Sequence, residues 1–150
     1  MSQLKDVYSG ILLQHYRKPH NFGELADADI TEKGINAACG DDVRIFVKLN
    51  GDAIEQVMFD GHGCAVSQSS ASMMTDALKG KTMDEAMKLV EEFRQMVTGA
   101  KPFQEDGDFR EISSLKSVVD SPALVKCASL SWNTVKVGFE KFQRNGQSES

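Results

Sequence analysis

Val43-Arg44-Ile45-Phe46-Val47-Lys48-Leu49, then Asn50-Gly51, then Ile54-Glu55-Gln56-Val57-Met58-Phe59, decide the architecture. Both runs are rich in β-branched and aromatic residues, and Asn-Gly accepts positive φ at both central positions of a tight turn. The stretch predicts an antiparallel hairpin. Gly61-His62-Gly63-Cys64 ends the second strand, and from there the apolar period changes. Val66, Ser70, Met73, Met74, Ala77 and Leu78 share one helical face, with Gly80 placed as a C-terminal cap.

Working outward, residues 28–35 offer a short third strand, and residues 20–42 are otherwise polar and glycine-bearing. Upstream, Leu4, Val7, Tyr8, Ile11, Leu12, His15 and Tyr16 predict a helix over 4–17 that Lys18-Pro19 stops. Downstream, Thr82-Met83-Asp84-Glu85 has capping-box spacing and opens a helix buried through Ala86, Met87, Val90, Phe93 and Val97. A loop with Gly99, Pro102 and Gly107 leads to a short helix through Ile112, Leu115 and Val119. Ser121-Pro122 then reads as cap and first residue of a last helix reaching Phe142. Its apolar face is Leu124, Cys127, Ala128, Ser131, Val135, Phe139 and Phe142. One small antiparallel sheet of about three strands, packed with about five helices, is an α+β domain. It is expected to span residues 1–143, with a polar, frayed tail over 144–150.

A chain of 150 residues suits one domain with one real core. Its 17 basic and 22 acidic residues sum to −5, without the basic footprint of a nucleic-acid or anionic-membrane binder. Apolar runs fall far short of the ~18 residues that a membrane span needs. Met1-Ser2-Gln3-Leu4-Lys5-Asp6 has no apolar signal region, so a cytoplasmic protein is expected.

Three cysteines, an odd count for a disulfide framework, would stay reduced there. Cys39 lies in the small-residue loop Asn36-Ala37-Ala38-Cys39-Gly40-Asp41. Cys64 sits where strand becomes helix, and Cys127 follows Lys126 on the last helix. A helix N-terminus or a neighbouring lysine favours the thiolate, which binds metals and attacks sulfur. With Asp41 they would make three thiolates and a carboxylate, suited to zinc or to an iron–sulfur unit. The spacings of 25 and 63 residues match no compact finger. On pattern alone, three unrelated thiols and a turn aspartate is an equal reading.

The remaining candidates read as ordinary structure. His62 is a solvent-facing histidine, with substitute ligand as its other reading; His15 is a satisfied core or boundary residue, and His20 is loop. Met73, Met74, Met83, Met87 and Met96 mostly fit helix core. Ser67, Ser69, Ser70 and Ser72 lack a nucleophile elbow. Gly61-His62-Gly63 lacks the third glycine of a dinucleotide site. Arg94, Lys101 and Lys116 are solvated charges.

Cys39-Gly40-Asp41, Gly61-His62-Gly63-Cys64-Ala65-Val66-Ser67, Ala71-Ser72-Met73-Met74-Thr75 and Lys126-Cys127-Ala128, in that order, resemble the U-type iron–sulfur assembly family (the NifU N-terminal domain, IscU and SufU). The resemblance runs from the first helix to about Phe142. It implies a SufE/NifU-like fold and a metal or cluster site on Cys39, Asp41, Cys64 and Cys127. The subgroup it favours is SufU. The IscU branch has histidine before the third cysteine and a Leu-Pro-Pro-Val-Lys signature upstream, whereas this chain reads Asp120-Ser121-Pro122-Ala123-Leu124-Val125-Lys126-Cys127. The long stretch between Cys64 and Cys127 also looks like the SufU insertion. Leu124 departs from the arginine usual there, which puts the mode of partner docking in question.

The resemblance implies a zinc-bound sulfur acceptor. A SufS-like pyridoxal-phosphate cysteine desulfurase would supply persulfide sulfur to Cys39, and downstream scaffold or acceptor proteins would receive it. Cys39 would leave zinc during transfer, since a metal-held thiolate is less nucleophilic, and Lys126 would steady its charge. Cys64 and Cys127 would hold the metal. Two other functions stand beside this one: a scaffold assembling a transient [2Fe-2S] cluster on the same residues, and a purely structural zinc domain.

Overall fold

The hairpin forms where the sequence demands it, but its turn is centred one residue later, on Gly51 and Asp52: Asn50 pairs with Ala53 as the end of its strand, and the positive φ, 66°, falls on Gly51. A computed structural model describes residues 10–149, with side chains through residue 145. Leu4, Val7 and Tyr8 of the expected first helix therefore lie outside the described residues. The sheet has the order β1 (Ile30–Asn36), β2 (Asp41–Asn50), β3 (Ala53–His62), with both pairings antiparallel. Val43, Ile45 and Val47 of β2 alternate onto one face with Val57 and Phe59 of β3, all buried. That face is the floor of the core.

The described helices are α1 (Gly10–Arg17), α2 (Ala65–Leu78), α3 (Met83–Val97) and α4 (Pro122–Glu149), joined by 3-10 segments at Gly107–Phe109 and Ile112–Asp120. With the longer 3-10 segment in place of the expected short helix, the three-stranded α+β architecture is as the sequence implied. Its departure from α geometry has a cause in the side chains. Ile112, Leu115 and Val118 are the buried residues, a spacing of three that matches three residues per turn. The expected Val119 is not among them.

The central element is α2, whose residues from Val66 to Leu78 are all buried except Asp76. Serines there let its neighbours approach closely while their hydroxyls stay satisfied. Ser69 Oγ donates to the Leu12 carbonyl at 2.7 Å, and Ser70 Oγ to the Ala128 carbonyl at 2.6 Å. Trp132 Nε1 donates to Ser70 Oγ at 2.9 Å, and its ring stacks on Phe93 with centroids 4.2 Å apart. This ties α2, α3 and α4 into one layer. Helix α4 also lies directly on β1, where a Cβ on Gly34 would stand 1.9 Å from Thr134 Oγ1.

The capping box of α3 is present in both directions, with Thr82 and Glu85 exchanging backbone bonds. Ser121 Oγ accepts from the Leu124 N–H at 3.4 Å, as a cap before Pro122 should. Several expected details change. Helix α4 runs past Phe142 to Glu149, because no proline interrupts its polar end. Phe142, Ile11 and Tyr16, expected on buried faces, are exposed, and buried Trp132 takes a core place that the stripe omitted. No described helix is long and apolar enough to cross a membrane.

Candidate metal centre

Asn36 and Asp41 pair across β1 and β2, so residues 37–40 must reverse the chain between them. The reversal is made by Cys39 N–H to the Asn36 carbonyl at 3.2 Å and Gly40 N–H to the Ala37 carbonyl at 3.3 Å, with Gly40 at φ 70°. Cys39 is thus carried, exposed, at the tip of a hairpin that precedes the Asn-Gly one. Asp41, two residues on, opens β2 and is only 1% exposed.

A buried carboxylate needs donors, and this one has them. Asp41 Oδ1 accepts the Cys64 N–H at 2.9 Å, and Oδ2 accepts from Asn36 Nδ2 at 3.4 Å. Gly63 makes room for it: a Cβ there would stand 2.5 Å from Oδ1. Cys64 is the N-cap of α2, its Sγ accepting from the Ser67 N–H at 3.4 Å. The N-terminal end of a helix favours a thiolate in that place.

Cys127 comes from the other side. It is buried in α4, and its Sγ accepts from Asn36 Nδ2 at 3.8 Å. Burial, together with the closeness of Cys39, Asp41 and Cys64, pushes its thiol well above the ordinary cysteine range. A negative sulfur there requires a cation beside it.

One ligand atom each from Cys39, Asp41 and Cys127 lies within 4.8 Å of the others. Cys64 is not within that distance of all three, and it joins the group through its thiol beside Cys127 and its backbone bond to Asp41. The structure therefore brings together residues from one hairpin, one helix N-terminus and one helix body. Three soft sulfurs and one carboxylate, two of the four groups buried, make a donor set that fits zinc or iron.

Asn36 was not foreseen. Its amide touches both Asp41 and Cys127, and the only signal was its place opposite Asp41 across a tight turn. Lys126 is exposed; with Ile35, Asn36 and Arg94 it lines a groove of about 380 Å³. His62 is outside the group, its side chain 78% exposed and 3.0 Å from Asp42. Arg94 and Lys116 pair with Glu91 and Glu105 at the surface, and Met73, Met74 and Met96 are core.

With this geometry in view, comparison with known proteins settles the kinship. The model of the NifU-like N terminal domain matches residues 7–148. The chain belongs to the NifU-like N-terminal domain family. Within it, the chain is 38% identical to the zinc-dependent sulfurtransferase SufU of Bacillus subtilis over 140 residues, 93% of this chain and 94% of that protein. It is 35% identical to the iron-sulfur cluster assembly scaffold protein IscU of Streptococcus pyogenes over 142 residues, 94% of this chain and 87% of that one. Among solved structures, a putative scaffold protein for the SUF system from Fervidobacterium islandicum superposes with TM-score 0.79 at 33% identity, covering 89% of this chain and 97% of that one. The N-terminal NifU-like protein of Brucella abortus gives TM-score 0.86 at 21% identity, covering 95% and 98%, and shares the fold.

Proposed function

We propose that this protein is a zinc-bound sulfur acceptor of cytoplasmic iron–sulfur cluster assembly, charged by a cysteine desulfurase. The observation that carries the reading is the contrast among the ligands: Cys39 is exposed on a turn while Cys127 is buried in a helix. A structural site would be closed; an acceptor needs a thiol that can leave. Zinc, held by Cys39, Asp41, Cys64 and Cys127, would keep the thiols deprotonated at neutral pH.

Cys39 then swings on its turn, and no strand pairing has to break. Its thiolate attacks the outer sulfur of the desulfurase persulfide. A new S–S bond forms on Cys39, the donor's S–S bond breaks, and the electron pair leaves on the donor's cysteine as a thiolate. No oxidant or reductant enters. Lys126, exposed beside the centre, supplies positive charge for the incoming and departing sulfur anions. Leu124 packs against the core and presents no cation where the subgroup has arginine, so the desulfurase is met by Lys126 on this face. The sulfur passes from Cys39 to a downstream scaffold or acceptor protein.

A second reading, assembly of a transient [2Fe-2S] cluster on the same four residues, is supported by the similarity to a scaffold named IscU. Peptide mapping after incubation with a desulfurase and cysteine separates the two. The extra sulfur is expected on the peptide holding Cys39. Sulfur found mainly on Cys127 would overturn the acceptor assignment and favour the scaffold.

A further inference from the structure

A second cluster of ligating side chains lies at the far end of α2. It involves neither the cysteines nor Asp41. From the Cys64 cap to Asp76 the helix rises about 18 Å at 1.5 Å per residue, so the two groups are separate. Asp76 is the one exposed residue of α2. Beside it stand His15 from α1 and His20 from the turn after Pro19, and one ligand atom of each of the three lies within 4.8 Å of the others. His20 Nδ1 is 2.5 Å from Asp76 Oδ2, and the two imidazole centroids are 4.5 Å apart.

The hydrogen bonds around this trio orient it as ligands are oriented. His15 is buried, and its Nε2 lies 2.6 Å from Glu111 Oε1. Donation there places the proton on Nε2 and leaves the Nδ1 lone pair on the opposite edge. That edge faces Ser72 Oγ at 2.6 Å, and the same hydroxyl oxygen accepts the His20 N–H at 2.8 Å. In the metal-free state the Ser72 hydroxyl donates to that lone pair, so the serine proton must turn away before His15 Nδ1 can ligate on the side from which His20 comes. A carboxylate on the far nitrogen of a ligating imidazole is the usual support that fixes tautomer and basicity. Asp76 is supported likewise: Asn21 Nδ2 donates to its Oδ1 at 3.0 Å, leaving Oδ2 turned to His20. Asn21 holds φ 55° to make that contact. An open cavity of about 280 Å³ adjoins the trio on the side of Asp76 and Glu111, which help line it.

We propose that His15, His20 and Asp76 form a second metal site, for a divalent transition cation that prefers nitrogen and oxygen donors. Two imidazoles and a carboxylate suit zinc, cobalt or ferrous iron, and exclude calcium as the preferred ion. When filled, it would clamp α1 and the following turn onto α2.

The test is a calorimetric titration of the full protein with Co²⁺ after the cysteine centre has been loaded with one equivalent of zinc. A second equivalent is expected, with a Co²⁺ spectrum free of the thiolate charge-transfer band and with shifts of the His15 and His20 ring signals in NMR. His20→Gln and Asp76→Asn, both at exposed positions, should each weaken this second equivalent about tenfold or more while leaving the first untouched. Absence of a second equivalent, or its survival in both variants, would overturn the site. Cobalt that displaced zinc from the cysteines would show the thiolate band, so the second site is read separately from the cysteine centre and this outcome is independent of the sulfur-acceptor reading.

Discussion

Gly63→Ala tests the metal centre through one methyl group. Gly63 does not hold a positive φ, so alanine is allowed by the backbone and the perturbation is steric. The new Cβ would sit 2.5 Å from Asp41 Oδ1, 3.1 Å from its Cγ and 3.2 Å from its Cβ. Carbon and oxygen do not approach that closely, and the carboxylate must retreat. It has nowhere to go without leaving the Cys64 N–H, now 2.9 Å away. A hydrogen bond to a charged group contributes about 1.5–3 kcal/mol, and Asp41 is 1% exposed, so water does not replace the lost donor. The metal-free protein should lose about that much stability. Zinc affinity should fall about 10- to 100-fold, or ~1.4–2.8 kcal/mol, because a ligand and its orienting bond move together.

Two measurements check this: urea unfolding in the presence of chelator, and zinc competition against a chromophoric chelator. The cause is isolated by repeating Gly63→Ala in an Asp41→Ala background. If the methyl acts through the carboxylate, its effect nearly vanishes once the carboxylate is gone. Wild-type zinc affinity in Gly63→Ala, or a full effect that persists without Asp41, would refute the placement of Asp41 in the centre.

Freshly purified protein should hold about one zinc in the cysteine centre, and chelation or acid should release it while lowering the melting temperature; unchanged melting after removal would break the link between metal and fold. Asp41→Ala should keep more metal than any single cysteine-to-serine variant, because a carboxylate is the harder, more exchangeable partner in a sulfur-rich set; elemental analysis ranks them. The metal-free protein should weaken as pH rises through about 9. The folded Cys127 thiol is held above its ordinary pKa of 9.0, so this contribution is full below that value and lost as the unfolded chain releases its proton. Denaturant curves from about pH 8 to about pH 10 should show that slope, and Cys127→Ser should reduce it.

The elements that local chemistry dictates were legible in the sequence. The hairpin turn and the Thr82–Glu85 box make contacts within a few residues; the box forms as read, and the hairpin forms with its turn shifted one residue, to Gly51-Asp52. The residues of the candidate metal centre were singled out through a family resemblance and through side-chain chemistry. Their convergence was not, since Cys39 meets Cys127 only after β1 pairs with β2 and α4 settles on both. Asn36 was missed for the same reason: its amide acts across 91 residues of sequence on Cys127. Trp132 stands one turn after Ala128 on α4, a spacing that was readable but lay outside the narrower stripe. His20 read as loop because its partner Asp76 is 56 residues away.

How the candidate site is divided among elements supports the proposal that Cys39 is the acceptor. Cys127 shares the buried side of α4 with Ala128 and Ser131, and pulling it outward would drag on Trp132 and its stack with Phe93. Cys64 caps α2, so moving it frees the Ser67 N–H at the start of the most buried helix. Asp41 is fixed by two donors and by the contact with Gly63. Cys39 alone sits on a four-residue reversal whose ends are already pinned by the Asn36–Asp41 pair, and rotation there costs only two weak turn bonds of 3.2 and 3.3 Å. The same fold that buries Asp41 and Cys127 and anchors Cys64 at a helix cap leaves Cys39 hinged. A centre built for structure alone would gain by burying Cys39 as well; on the proposed reading, an exposed turn would weaken the metal's hold at the one place a donor persulfide could reach.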